Sequence, residues 1–336
     1  MIISLTLLIA TACQQVNKNV QPDTESTTDW YTLYFTHPGE AGTGLTVESA
    51  LVESITSAYD NIDLALYSFS LETIADALMT AFRHGVEVRM VMEADNLDSY
   101  QVKRLLAAGI PIQPDTSEGL MHDKFVVIDD REVWTGSMNL TITGAQEDAN
   151  NLVRIDSPEL AADYLVEFEA MYQEGLFGEQ HLPQTPYPLL TIEASTLEVF
   201  FPPNDRASRR LVELIAGAQD NVVFLASNFT SDPLSLALIQ AHERGVAVNG
   251  LMDADNAVSD TGSDYRLLVE AGIPVLLDKD PGRMHHKVMI IDGTIVAFGS
   301  YNFTASAEKR NDENLLIIHD PELAARFLKE YQRLIE

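Results

Sequence analysis

Two short stretches of this chain place a histidine and a lysine two residues apart, each followed by an aspartate at the same distance. The first is His122, Lys124 and Asp129, and the second is His285, Lys287 and Asp292. Each is followed by Gly-Ser-x-Asn, as Gly136-Ser137-Met138-Asn139 and Gly299-Ser300-Tyr301-Asn302. In a strand, side chains two apart share a face, so each pair aims an imidazole and an ammonium at one point. That is chemistry for a phosphate. Breaking a phosphodiester takes a nucleophile, an acid for the leaving alcohol and positive charge around the oxygens. Two His-x-Lys units facing each other supply all three. The glycine allows close backbone approach, and Ser137, Asn139, Ser300 and Asn302 bring hydrogen-bond donors for phosphate oxygens.

Two copies of H-x-K-x4-D with G-S-x-N in register resemble the signature of the phospholipase D superfamily, and the resemblance covers about residues 30 to 336. It implies a duplicated α/β/α sandwich with pseudo-twofold symmetry and the active site between the halves. It also implies a monomer that needs neither metal nor cofactor. One histidine would form a phosphohistidine, and the other would protonate the leaving alkoxide and then activate water or an alcohol. Carried onto this chain, the catalytic residues are His122, Lys124, His285 and Lys287. Asn139, Asn302, Ser137 and Ser300 are phosphate ligands, and Asp129 and Asp292 are structural carboxylates. The resemblance also places a histidine-orienting carboxylate at Glu313. The matching position of the first half is Asn150, an amide, with Asp148 as the nearby alternative. Unequal partners imply unequal roles, with His122 expected as nucleophile and His285 as acid and base. His286, next to His285, points to the opposite face and reads as structural.

The elements that must hold these residues repeat as well. Trp30 to Phe35 and Ile62 to Tyr67 read as strands, about Leu71 to Arg83 as an amphipathic helix, and Val86 to Met92 as a strand. A helix from about Asp98 to Ala108 ends at Gly109-Ile110-Pro111. Phe125 to Ile128 are apolar at four successive positions, as in a strand covered on both faces. Leu211, Val212 and Ile215 then match Leu51, Val52 and Ile55 at an offset of 160, which becomes 163 from Ala271 onward. The three extra residues fall within 257 to 264. This alternation argues for an α/β layered fold duplicated in tandem. Glu93 and Asp253 end matching strands and read as caps of the following turn. Asp253, Asp255 and Asp260 lack the glycine and terminal glutamate of a calcium loop, so no metal is assigned.

The expected organisation is 1–13 as a signal segment, 14–29 as a polar tether, 30–174 as the first domain, 175–190 as a linker and 191–336 as the second domain. Ala10-Thr11-Ala12-Cys13 after an apolar run reads as a lipoprotein processing site with Cys13 lipidated. A secreted protein is the alternative. A formal charge of −30, from 21 basic against 51 acidic residues, argues against general attraction to nucleic acid. The first expectation for substrate is therefore a phospholipid at a membrane surface, cleaved to phosphatidic acid and an alcohol as for phosphatidylcholine. Cardiolipin hydrolysis or phosphatidyl transfer, an extracytoplasmic endonuclease, and an inactive envelope binding module are the alternatives.

Overall fold

The computed structural model describes residues 25–28, 30–38, 42–180, 185–260 and 262–336. The signal segment, Cys13 and most of the expected tether lie outside the described residues.

The first half folds around an eight-stranded mixed sheet. Its strands are β1 (Glu25–Thr27), β2 (Tyr31–Thr36), β3 (Asn61–Leu66), β4 (Glu87–Met92), β5 (Ile112–Pro114), β6 (Lys124–Ile128), β7 (Glu132–Gly136) and β8 (Asn150–Asp156). Their order is β1-β2-β8-β7-β6-β3-β4-β5. The second half contributes β9 (Leu189–Ile192), β10 (Ser195–Phe200), β11 (Asn221–Ala226), β12 (Phe229–Thr230), β13 (Ala247–Met252), β14 (Val275–Leu277), β15 (Lys287–Ile291), β16 (Ile295–Gly299), β17 (Phe303–Thr304) and β18 (Leu315–His319). Read from its far edge, the second large sheet runs β9-β10-β18-β16-β15-β11-β13-β14, which is the order of the first. β12 and β17 form a separate two-stranded ladder.

Each sheet is covered on both faces, as its continuous apolar strands require. The outer face of the first packs on the helices Thr43–Ser57, Glu72–Arg83 and Tyr100–Ala108 through Leu51, Leu78 and Leu105. The outer face of the second packs on helices that include Ala207–Gly217 and Asp232–Glu243, through Leu211 and Leu238. The inner faces share one core. Val127 and Val153 of the first sheet, Ile290 and Phe298 of the second, and Tyr164, Phe168 and Phe327 from the helices Pro158–Glu174 and Pro321–Ile335 form a single cluster. Each such side chain contributes about 1.5–3 kcal/mol by leaving water, so the two halves are one folding unit in energetic respects. Pro158 and Pro321 sit in the first turns of these helices, behind Ser157 and Asp320 as N-caps.

Two details depart from the pattern read off the sequence, and a third makes one of its readings specific. Glu25–Thr27, within the stretch expected as tether, pair antiparallel with β2. The extra residues of the second half extend the single turn Ala94–Asn96 into the helix Ala254–Ser259. Asp129 and Asp292 are turn anchors: each carboxylate accepts backbone N–H groups from the start of a neighbouring strand, Tyr59, Asp60 and Asn61 in one half and Gln219, Asp220 and Asn221 in the other.

The halves meet along two reciprocal parallel bridges, Met121 with Asp312 and Met284 with Ala149. The His122 N–H donates to the Asp312 carbonyl and the His285 N–H to the Ala149 carbonyl, both at 2.9 Å. Reciprocity of this kind defines a pseudo-twofold relation. Gly119 and Gly282 make the approach possible. A Cβ on Gly119 would stand 2.0 Å from the Arg310 carbonyl oxygen, and one on Gly282 1.8 Å from that of Glu147. Gly119→Ala and Gly282→Ala should each destabilise by about 1–3 kcal/mol, measured as lowered Tm. Gly217→Ala, where nothing lies within 4 Å of the new methyl, should leave Tm within a degree or so of wild type by the same reasoning.

Candidate active site

β6 runs antiparallel to β3, which pairs Lys124 with Leu66. His122, Lys124 and the ends of β7 and β8 therefore gather at the carboxyl edge of β3 and β4, and β15 does the same beside β11 through the pair Lys287 and Ala226. Open α/β sheets bind ligands at that edge. The seam brings the two edges together.

Each histidine is held by the other half. His122 Nδ1 lies 2.8 Å from Glu313 Oε2, and His285 Nδ1 lies 2.8 Å from Asn150 Oδ1. The hydrogen bonds around them fix the proton. Ser300 Oγ accepts the Asn314 N–H at 3.0 Å and donates to Glu313 Oε2 at 2.7 Å. Ser137 Oγ accepts the Asn151 N–H at 3.0 Å and donates to Asn150 Oδ1 at 3.0 Å, while Asn150 Nδ2 donates to the Gly144 carbonyl. Glu313 Oε2 and Asn150 Oδ1 are thus acceptors, and each imidazole donates from Nδ1 with Nε2 left for a ligand.

This corrects the expectation for Ser137 and Ser300. Both are fully buried and their single hydroxyl proton is committed, so they fix Asn150 and Glu313 instead of binding phosphate. Asp148 does not act as the carboxylate behind His285, because it accepts the Arg283 N–H at 3.1 Å along the seam. Asn139 and Asn302 remain open: their buried Oδ1 atoms have no hydrogen-bond partner, and an amide turned about its last torsion presents two donors to an anion. Gly136 and Gly299 fit the expected close approach, since a Cβ there would stand 2.4 Å from the Asn151 carbonyl oxygen and 2.2 Å from that of Asn314. Glu93 and Asp253 cap the turns that follow them by accepting the N–H groups of Asp95 and Asn256.

The lysines are buried and have turned their ammonium groups back, Lys124 Nζ to the His122 carbonyl and Lys287 Nζ to the His285 carbonyl, each at 2.7 Å. Burial lowers Lys124 to about 8, and burial together with Lys124 holds Lys287 well below the usual lysine range. Burial, then the two lysines, hold His122 well below its ordinary value, and the same groups with His122 and Arg283 do so for His285. Burial pushes Glu313 up to about 7 against the pull of Lys124 and the Ser300 hydroxyl. Burial and mutual repulsion thus disfavour the charged forms of both lysines and both imidazoles, and an anion between them would favour those forms.

A second pair of positions differs between the halves on the opposite strand face. Asp123 accepts a hydrogen bond from Asn314 Nδ2 at 2.7 Å, and burial pushes it up to about 7. Its counterpart His286 accepts one from Asn151 Nδ2 at 2.9 Å and turns its other nitrogen toward Glu330. Both are structural supports, as the alternation in the strand implies for His286. The His122 side thus carries Glu313 and Asp123, whereas the His285 side carries Asn150 and His286. The aromatic ring of Tyr67, 5.0 Å from that of His122 and 5.3 Å from Lys124 Nζ, also belongs to this site and was not singled out from the sequence. It lies one residue past β3, where the register with Lys124 would have indicated it.

Fold and site together define a duplicated α/β protein whose two His-x-Lys units meet at the seam between the halves, and comparison with known proteins gives its family. A family described as cardiolipin synthase, PLD-like domain, matches twice, over residues 51–172 and 211–335. The chain is 38% identical over 135 residues to the mitochondrial cardiolipin hydrolase of Xenopus laevis, covering 40% of this chain and 64% of that protein. It is 34% identical over 166 residues to phospholipase D of Rickettsia bellii, covering 48% of this chain and 82% of that protein. The fold is also that of phosphatidylserine synthase from Haemophilus influenzae, at 15% identity and a TM-score of 0.69 over 90% of this chain and 86% of that one. The chain belongs to the phospholipase D superfamily of phosphodiesterases.

The crossed support makes a direct prediction. Asn150→Asp places a carboxylate behind His285, so the His285 pKa should rise by about one unit or more while His122 stays where it is. Imidazole chemical shifts followed by NMR across pH measure both. An unmoved His285 would show that residue 150 does not face it.

Proposed function

We propose that this protein hydrolyses glycerophospholipids to a phosphatidic acid and a free alcohol, without a metal, through a phosphohistidine on His122. The observation that carries the assignment is the unequal backing of the two imidazoles, Glu313 behind His122 and Asn150 behind His285.

His122 Nε2 attacks phosphorus as the bond to the leaving alcohol breaks. The alkoxide takes its proton from His285 Nε2. His285, now neutral, removes a proton from an entering water, whose oxygen attacks phosphorus and expels His122. The new P–N bond makes the His122 ring cationic, and a buried cation is costly unless paired; the Glu313 carboxylate pairs it. His285 has only an amide acceptor behind it and yields its proton more readily. Lys124, Lys287, Asn139 and Asn302 hold the non-bridging oxygens, an electrostatic role worth most in a site sheltered from water. The phospholipid reading draws on the relatives' names and on the charge of −30, which opposes a polyanionic partner.

In EDTA, purified protein should release phosphatidic acid from mixed phospholipid micelles and leave single- and double-stranded DNA intact, and His122→Asn and His285→Asn should abolish the release. DNA cleavage lost in both variants, without lipid cleavage, would overturn the phospholipid reading. The pH profile carries a second test. kcat/KM needs His122 neutral and His285 protonated in the free enzyme, and both sit below the ordinary histidine value. With Glu313 required as a carboxylate and pushed up to about 7, the profile should therefore peak between the lowered His285 value and about 7 and fall toward pH 8, where Lys124 also begins to lose its charge. A peak above pH 7.5 would contradict the acid role of His285.

A further inference from the structure

The segments that lead into β6 and β15 differ just outside the seam, at Leu120 and Arg283, two residues before His122 and His285. These two residues occupy matching places. The Leu120 carbonyl accepts the Asp312 N–H at 2.9 Å, and the Arg283 carbonyl accepts the Ala149 N–H at 2.8 Å. Leu120 is 38% exposed and Arg283 is exposed. Leu120 is apolar, Arg283 is a cation, and among the described residues no carboxylate lies within 4.0 Å of the Arg283 guanidinium.

A second matching pair differs in the same sense. Tyr67 lays its ring beside His122 and Lys124. The residue at that place in the second half is Ser227, whose N–H donates to the His286 carbonyl as that of Tyr67 donates to Asp123. Ser227 has no ring to fill the equivalent space beside His285. Asn228 follows it, tied to Ser227 Oγ at 3.4 Å and to Asn256 Nδ2 at 3.3 Å. The His122 wall is thus aromatic and apolar, and the His285 wall is small, polar and cationic.

We infer that the wall formed by Arg283, Ser227 and Asn228 is the leaving-group subsite, and that Arg283 selects phosphodiesters whose departing alcohol carries a negative charge of its own. The inference rests on the proposed division of labour. In an in-line displacement by His122 the bond that breaks points away from it, toward His285, so the departing alcohol lies against the Arg283 wall. A phosphate on that alcohol meets the guanidinium, which binds phosphate oxygens through paired N–H donors. A choline or ethanolamine group meets a like charge. Asp148, whose carboxylate accepts the Arg283 N–H, is the nearest acidic neighbour named at this wall, and burial raises its pKa. The positive end of Arg283 also contributes to keeping His285 unprotonated in the empty site, so an anion seated there favours the protonated, acid form of His285. The subsite would therefore link recognition to proton donation. This places phosphatidylcholine, the substrate first expected from the sequence, among the poorer ones.

The test compares cardiolipin, whose departing phosphatidylglycerol is anionic, with phosphatidylcholine in the same micelles, and repeats the comparison with the deacylated, water-soluble counterparts of both. Bis(p-nitrophenyl) phosphate, with an uncharged leaving group, reports the chemistry alone. Wild type should turn over the anionic member of each pair at least ~10-fold faster in kcat/KM, the equivalent of one charge contact at about 1.4 kcal/mol. Arg283→Leu should bring both ratios close to one, with bis(p-nitrophenyl) phosphate turnover showing how much of any rate change is common to all substrates, and Arg283→Lys should keep part of the preference. Equal turnover of the two members by wild type, or an unchanged ratio in Arg283→Leu, overturns the inference while leaving phospholipid hydrolysis intact. An Arg283-dependent preference confined to the soluble pair, with no lipid cleaved, keeps the subsite and sinks the phospholipid reading. Inactivity on every substrate by folded protein overturns both.

Discussion

The structure depends on a short piece of parallel pairing between the two halves. Met121 with Asp312, and Met284 with Ala149, are single bridges, yet they set the position of everything chemical. Each lies one residue from a histidine on one strand and one residue from that histidine's partner on the other. The bridges can form only where Gly119 and Gly282 let backbone meet backbone, and only if the shared inner core brings the sheets to that separation. Packing therefore determines catalytic geometry here more directly than in a site built on one domain. Neither half, taken by itself, holds an oriented histidine.

The halves are near copies in backbone and unequal in charge. Four matched positions carry the difference: Glu313 against Asn150, Asp123 against His286, Tyr67 against Ser227 and Leu120 against Arg283. The first two put acidic groups on the His122 side where an amide and an imidazole stand on the His285 side. The last two make one wall apolar and the other polar. A duplicated fold begins with two equivalent histidines, and substitutions at a few buried or lining positions are enough to give them separate tasks. The cost is visible in the empty site. Two lysines, the His122 imidazole and a carboxylate are buried and the His285 imidazole is half-buried, with their charged forms poorly stabilised, an arrangement that favours an anionic guest over water.

Much of the fold and the local half of the site was legible in the sequence, because the relevant signals are short-range. His122 with Lys124 and Gly136 with Asn139 lie within a few residues of each other, and strand alternation turns that spacing into a shared face. The α/β layering followed from apolar runs such as Phe125 to Ile128. The other half of the site was not legible. His122 and Glu313 are 191 residues apart, and nothing in either segment says that they cross the seam to meet. The resemblance named Glu313 and its counterpart Asn150, at the start of the strand Asn150–Asp156, as the groups behind the histidines, but not which histidine each one serves. Ser137 and Ser300 were assigned to phosphate because a sequence shows a hydroxyl but not where its proton goes. Asp129 and Asp292 were expected as structural, and at the far end of the strand from the histidines each accepts backbone N–H groups of a neighbouring turn.

The central claim is that the crossed Glu313 carboxylate makes His122 the nucleophile. Quenching the reaction with phosphorus-labelled phospholipid in alkali within the first turnovers, then mapping the labelled peptide by mass spectrometry, tests it directly. The account predicts phosphate on His122 in wild type, and a yield of that adduct lowered by about 10²–10⁴-fold in Glu313→Gln. Phosphate on His285, or an undiminished adduct in Glu313→Gln, would contradict it.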